Sequence, residues 1–178
     1  KHVAAARKQM GIRTIFNMLG PLTNPAGANA QLVGVYSARL TEVVAGVLRN
    51  LGVQRALVVH GSDGMDEVTI TTSTKVTELF QGELTSYFIS PEEYGLPLAT
   101  LEEIRGGTLE ENARLILIVL NGQKGPHRDI VLLNAAAALV AASRASSLHE
   151  GIEMSSASID SGLALSKLTG LIEFTNSF

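Results

Sequence analysis

Cysteine is absent from the 178 residues, which excludes a disulfide framework and any thiolate-held metal. The absence fits a reducing cytoplasm. Tryptophan is absent too, and the basic residues after Arg13 come singly, so neither a stacking platform nor a basic stripe for nucleic acid is announced. Net charge is only −3 and the isoelectric point is near 5.8. Apolar runs are short; the stretch from Ala135 to Ala142 is far below the length that crosses a bilayer. Nothing resembles a signal peptide. What is present is a chain with 46% hydrophobic and 17% charged residues, long enough for one domain with a real core. Ala4 to Gln9 is helix-forming sequence with no cap before it, the look of a chain cut from something longer.

The pattern along the chain is that of an α/β fold, a mixed β-sheet flanked by helices, in a single domain over residues 1–178. Gln31 to Tyr36 reads as a strand. Val43, Val44, Val47, Leu48 and Leu51 place an amphipathic helix over Thr41–Leu51, with Gly52 as its stop. Arg55 to His60 reads as a buried strand, so the pair of strands should run parallel with a right-handed crossover. Period-two alternation then predicts strands over Val68-Ile70-Thr72, Lys75–Phe80 and Leu84–Phe88, the last two joined by a turn at Gln81-Gly82. Ser90-Pro91-Glu92-Glu93 has the composition of a helix start. Helices follow over Leu109–Leu120, Asp129 to about Ser143, and Ser147 to Leu168 with Gly162 tolerated inside.

Chemistry is concentrated in two places. The loop Gly61-Ser62-Asp63-Gly64-Met65-Asp66-Glu67 leaves the carboxyl end of a strand, the edge at which open α/β sheets bind ligands. Asp66 and Glu67 are adjacent hard oxygen donors suited to Mg²⁺, or equally the residues of an acidic surface turn. Arg7, beside Lys8, is either a bidentate carboxylate clamp or part of a solvated basic face. His60 closes a buried strand and is read as satisfied by a backbone partner. Ser62 lacks a nucleophile-elbow context. Asn134 reads as bonding a neighbouring loop, and Asp160-Ser161-Gly162 as a packing device. The second place is Arg13 to Pro25, RTIFNMLGPLTNP. There Pro21 should end a short apolar helix, and Asn24 before Pro25 should form a rigid, polar-tipped loop. Such a loop suits a small ligand and a plain connector alike.

RTIFNMLGPLTNP resembles a signature of the anthranilate phosphoribosyltransferase family, and more weakly one of the pyrimidine nucleoside phosphorylases. VVHGSDGMDE (Val58 to Glu67), Arg105-Gly106-Gly107 with Glu111-Asn112-Ala113, Leu120-Asn121-Gly122 and Leu132 to Ala136 match the same family in order, over nearly the whole chain. The resemblance implies the C-terminal part of the large α/β domain of a class III-type phosphoribosyltransferase. The N-terminal helical domain and the Gly-rich phosphate loop would then lie upstream of this chain. It further implies an enzyme of tryptophan biosynthesis that joins anthranilate to 5-phosphoribosyl-1-pyrophosphate, homodimeric at full length, with neither nucleic acid nor membrane as partner. By resemblance Asp66 and Glu67 hold Mg²⁺ on the diphosphate and Arg7 binds the anthranilate carboxylate; no catalytic residue is assigned, and the piece alone is expected to be inactive. Where the family has Gly-Lys-Ala in the last helix, this chain has Gly162-Leu163-Ala164. A nucleoside phosphorylase-like enzyme and a non-catalytic nucleic-acid-binding relative remain alternatives.

Overall fold

The computed structural model describes residues 16–178. Helix α1 (Phe16–Leu22) leads to strand β1 (Ala30–Gly34), helix α2 (Leu40–Asn50) and strand β2 (Arg55–Gly61). Strands β3 (Thr74–Phe80) and β4 (Glu83–Ile89) follow, then helices α3 (Leu109–Leu120), α4 (Pro126–Ala141), α5 (Leu148–Asp160) and α6 (Leu163–Thr175). The four strands form one sheet in the order β1-β2-β3-β4. β1 and β2 are parallel, while β2–β3 and β3–β4 are antiparallel, so the sheet is mixed as expected.

β2 is the strand that both layers share. Its alternating side chains divide between two cores, as the period of a strand requires. Ala56 and Val58 face Val44, Ala45 and Leu48 of α2, while Leu57 and Val59 face Leu133, Ala137 and Val140 of α4. The predicted α2 is found nearly residue for residue, and its apolar face is the one buried. α5 then stacks on α4 where Gly151 meets Ala136, the close approach that the Ala-rich sequence allows.

Four expectations are corrected. Val68-Ile70-Thr72 is not a strand: residues 67–73 form an irregular loop whose hydroxyls bond within the loop rather than to a ladder. Ser90-Pro91-Glu92-Glu93 does carry a capping box, but it starts only a 3₁₀ turn (Pro91–Tyr94), which Gly95 ends. α4 begins earlier than expected, with Pro126 at its first position, and stops before Ser143, whose positive φ of 54° no helix accommodates. Gly162 breaks the last helix rather than riding inside it: its φ is 78°, so α5 and α6 are separate. At the chain's start, α1 runs through Pro21 and ends one residue later at Leu22. The loop beyond it is tipped by Asn24, whose Oδ1 accepts from the Ala26 amide at 3.0 Å.

The helical layer carries one buried ion pair. Arg128, its side chain fully buried, donates to both oxygens of Asp160 (2.7 and 2.9 Å), to the Gly122 carbonyl and to Ser156 Oγ. Asp160 is therefore half of an ion pair and not merely a packing device. The hydrogen bonds from Arg128 hold its pKa down at about 2. In an unfolded chain an aspartate titrates near ~3.9. The pair thus contributes full stability above that value and loses it as the pH falls toward 2. Urea midpoints measured between neutral pH and pH 2 should fall more steeply for the native protein than for Asp160→Asn over the acidic limb. Parallel curves for the two proteins would show that the pair does not carry this dependence.

Candidate functional site

The loop that follows β2 is built before it is chemical. The Gly61 amide donates to the Met65 carbonyl (2.8 Å) and the Ser62 amide to the Ser73 carbonyl (2.9 Å), which closes the loop at its base. Asp63 is its internal hub: it accepts from the Met65 amide (3.0 Å), from Thr69 Oγ1 (2.6 Å) and from Thr71 Oγ1. Burial disfavours the Asp63 charge, but these donors outweigh it and keep the pKa below the ordinary aspartate value. Asp63 is consumed in this role and is not a free donor.

The tip of the loop seats against β1. The Asp66 carbonyl comes so close to Gly34 that a β-carbon at position 34 would fall inside it. A glycine inside a strand is a known mark of such an approach, and this signal in Gln31-Leu32-Val33-Gly34-Val35 went unread in the sequence. On the other side, Asn134 of α4 bonds the main chain of Val68, as the sequence suggested. Between these two fixings stand Asp66, exposed, and Glu67, half-buried. Burial, with the charges of Asp66 and Asp63, pushes the Glu67 carboxyl above the usual glutamate range. A site of this kind is relieved by a cation.

The donor set fits a hard divalent ion that takes few protein ligands. Both residues offer only oxygen and Asp66 opens to solvent. Among the described residues no group of three or more His, Asp or Glu forms a cage, so water and substrate oxygens would complete the shell.

The other candidates resolve plainly. His60 Nδ1 lies 2.7 Å from the Val35 carbonyl, the backbone partner expected of it. Ser62 Oγ pairs with Ser73 Oγ at 3.1 Å. Arg105, Gly106, Gly107 and Glu111 line an open polar cavity of about 360 Å³ with Glu102, Arg114 and Leu115, apart from the acidic pair. Within it Thr108 and Glu111 form a capping box, and Asn112 bonds both the amide and the carbonyl of Gly107. Those matching residues therefore start α3. Arg7 lies outside the described residues.

A mixed α/β sheet with helices on both faces, presenting paired carboxylates beyond the carboxyl end of a parallel strand, defines an α/β domain of the ligand-at-the-edge class. The chain belongs to the glycosyl transferase family, a/b domain, whose model matches residues 1–165. It is 56% identical over all 178 of its residues to the anthranilate phosphoribosyltransferase of Acetivibrio thermocellus, covering 52% of that protein. With the enzyme of the same name from Symbiobacterium thermophilum the identity is 57% over 99% of this chain and 52% of the relative. The chain thus spans about half the length of the curated relatives it matches. Among solved structures, the anthranilate phosphoribosyltransferase of Thermus thermophilus superposes with a TM-score of 0.89 at 44% identity, over 97% of this chain and 51% of that one. The Saccharomyces cerevisiae enzyme in complex with PRPP and Mg gives 0.90 at 31% identity, over 99% and 51%.

If Gly34 is what admits the loop tip, Gly34→Ala should force Asp66 off β1 and destabilise the fold by about 1–3 kcal/mol, the usual range for overpacking. Chemical denaturation checks this; an unchanged midpoint would mean that the loop tip is free to shift.

Proposed function

We propose that this chain forms the metal-holding side of an anthranilate phosphoribosyltransferase. The reaction joins anthranilate to 5-phosphoribosyl-1-pyrophosphate, giving N-(5-phosphoribosyl)anthranilate and pyrophosphate in tryptophan biosynthesis. One observation carries the reading: full-length similarity above 50% identity to enzymes of that name. The seated acidic loop supports it, because its geometry suits a diphosphate-bound cation.

Asp66 and Glu67 would hold Mg²⁺. Bound there, the ion would neutralise charge gathering on the leaving pyrophosphate. The chain's own work is positional. The loop presents two carboxylates from a main chain fixed on either side, so little reorganisation accompanies binding. Arg7, by the family resemblance, grips the anthranilate carboxylate and turns the neighbouring amine toward the anomeric carbon. That amine is nucleophilic when neutral, so no strong general base is required of these residues. The helical domain and the Gly-rich phosphate loop belong to the part of the enzyme this chain does not span. The chain alone is accordingly inactive, and the full enzyme works as a homodimer in the cytoplasm. Among the described residues no helix is long and apolar enough to cross a membrane.

The test uses the full-length enzyme. Asp66→Ala and Glu67→Ala should each lower the rate and raise the Mg²⁺ concentration that gives half of it. Wild-type rate and Mg²⁺ dependence in both variants would refute the assignment. Arg7→Ala should raise KM for anthranilate about thirtyfold, the equivalent of about 2 kcal/mol for a charge-assisted bidentate contact, and leave KM for the phosphoribosyl donor nearly unchanged. Small, equal changes in both constants would mark Arg7 as a solvated surface residue.

A further inference from the structure

Asn134 projects from the middle of α4 to a residue 66 positions earlier in the chain. Its Oδ1 accepts from the Val68 amide at 3.0 Å, and its Nδ2 donates to the Val68 carbonyl at 2.7 Å. A third bond, Nδ2 to the Ile130 carbonyl one turn back at 3.0 Å, fixes the side chain on its own helix. Both main-chain polar groups of one loop residue are thus taken by a single amide. A one-point contact would let the loop pivot; a two-point contact sets its orientation as well as its height.

Val68 directly follows Glu67, and its own side chain is 1% exposed in the core that α4 builds with β2 and β3. Asp66, on the other side of Glu67, is seated on Gly34. The main chain of the two carboxylates is therefore pinned at each end by contacts from different layers of the fold. Only an asparagine satisfies this arrangement. Aspartate lacks the donors for the two carbonyls, glutamine is a methylene too long, and an apolar residue would leave a buried amide and carbonyl unpaired.

We propose that Asn134 is a positioning residue for the Asp66–Glu67 pair, setting the affinity of the enzyme for its divalent ion on the diphosphate without touching either. The inference rests on the reading of that pair given above. A plain fastener would change thermal stability alone. A positioning residue changes metal affinity in a protein that is still folded, because outer partners that orient carboxylate ligands commonly influence affinity by about 10–100-fold.

The experiment measures Mn²⁺ binding to the full-length enzyme at saturating 5-phosphoribosyl-1-pyrophosphate, by electron paramagnetic resonance, with KM for anthranilate determined alongside. Asn134→Ala should weaken Mn²⁺ binding about tenfold and leave KM for anthranilate within about twofold. Asn134→Ser, smaller and able to admit a bridging water, should show a lesser loss in the same direction and serves if the alanine variant does not fold. Asp66→Asn and Glu67→Gln are measured in parallel. If these two weaken Mn²⁺ binding but the Asn134 variants bind it as tightly as the wild type, Asn134 is only a fastener and this inference falls alone. If Asp66→Asn and Glu67→Gln also bind Mn²⁺ normally, the reading of the acidic pair falls and takes the inference with it.

Discussion

The seat of the Asp66 carbonyl on Gly34 is the contact on which the geometry of the acidic loop depends. A loop leaving the end of β2 could in principle lean toward either layer of the fold. The missing side chain at position 34 opens one place along β1 where main chain can lie against main chain, and the loop takes it. From that seat the chain must turn back into the core at Val68, where the Asn134 amide replaces the ladder partners that a strand would have supplied. Asp63 absorbs the remaining donors of Thr69 and Thr71. The polar groups of the loop are thus largely satisfied inside it, which leaves Asp66 and Glu67 as the carboxylates turned to other use.

This arrangement requires a rigid base, and β2 provides it. The strand is buried on both faces, parallel to β1 and antiparallel to β3. α2 closes one face and α4 the other. Because α4 both caps the core and carries Asn134, the packing of the helical layer and the placement of the loop are one structural problem. The Arg128–Asp160 pair, far along the same layer, ties α4 to the end of α5. A buried guanidinium is costly unless paired, so the pair acts more to specify this helix arrangement than to add stability.

Much of this was legible in the amino-acid order because local signals agreed with the fold. The apolar face of α2, the parallel pair around it and the β3–β4 hairpin follow from periodicity and from Gln81-Gly82, both at positive φ. The Val68-Ile70-Thr72 alternation misled because Val68 and Ile70 are buried as a strand's would be, while the intervening Thr69 is bonded to Asp63 and Thr74. Gly162 misled because a helix tolerates glycine at modest cost, and only the turn of the backbone tells a tolerated glycine from a break. Asp160 gave no sign of Arg128, its partner 32 residues earlier, since a tertiary ion pair has no local pattern. The acidic pair was visible as chemistry; what holds it, Gly34 and Thr69 and Thr71, was visible only in three dimensions.

The central claim is that the loop carrying Asp66 and Glu67 is preformed rather than ordered by its ligand. Amide hydrogen exchange on the full-length, metal-free protein tests it most directly. The amides of Gly61, Met65, Val68 and Thr69 each have an acceptor in the structure, so their exchange should be slowed to the degree seen for β2 itself. Exchange of these amides at the rate of an unstructured peptide, with protection gained only on adding Mg²⁺ and 5-phosphoribosyl-1-pyrophosphate, would contradict the account.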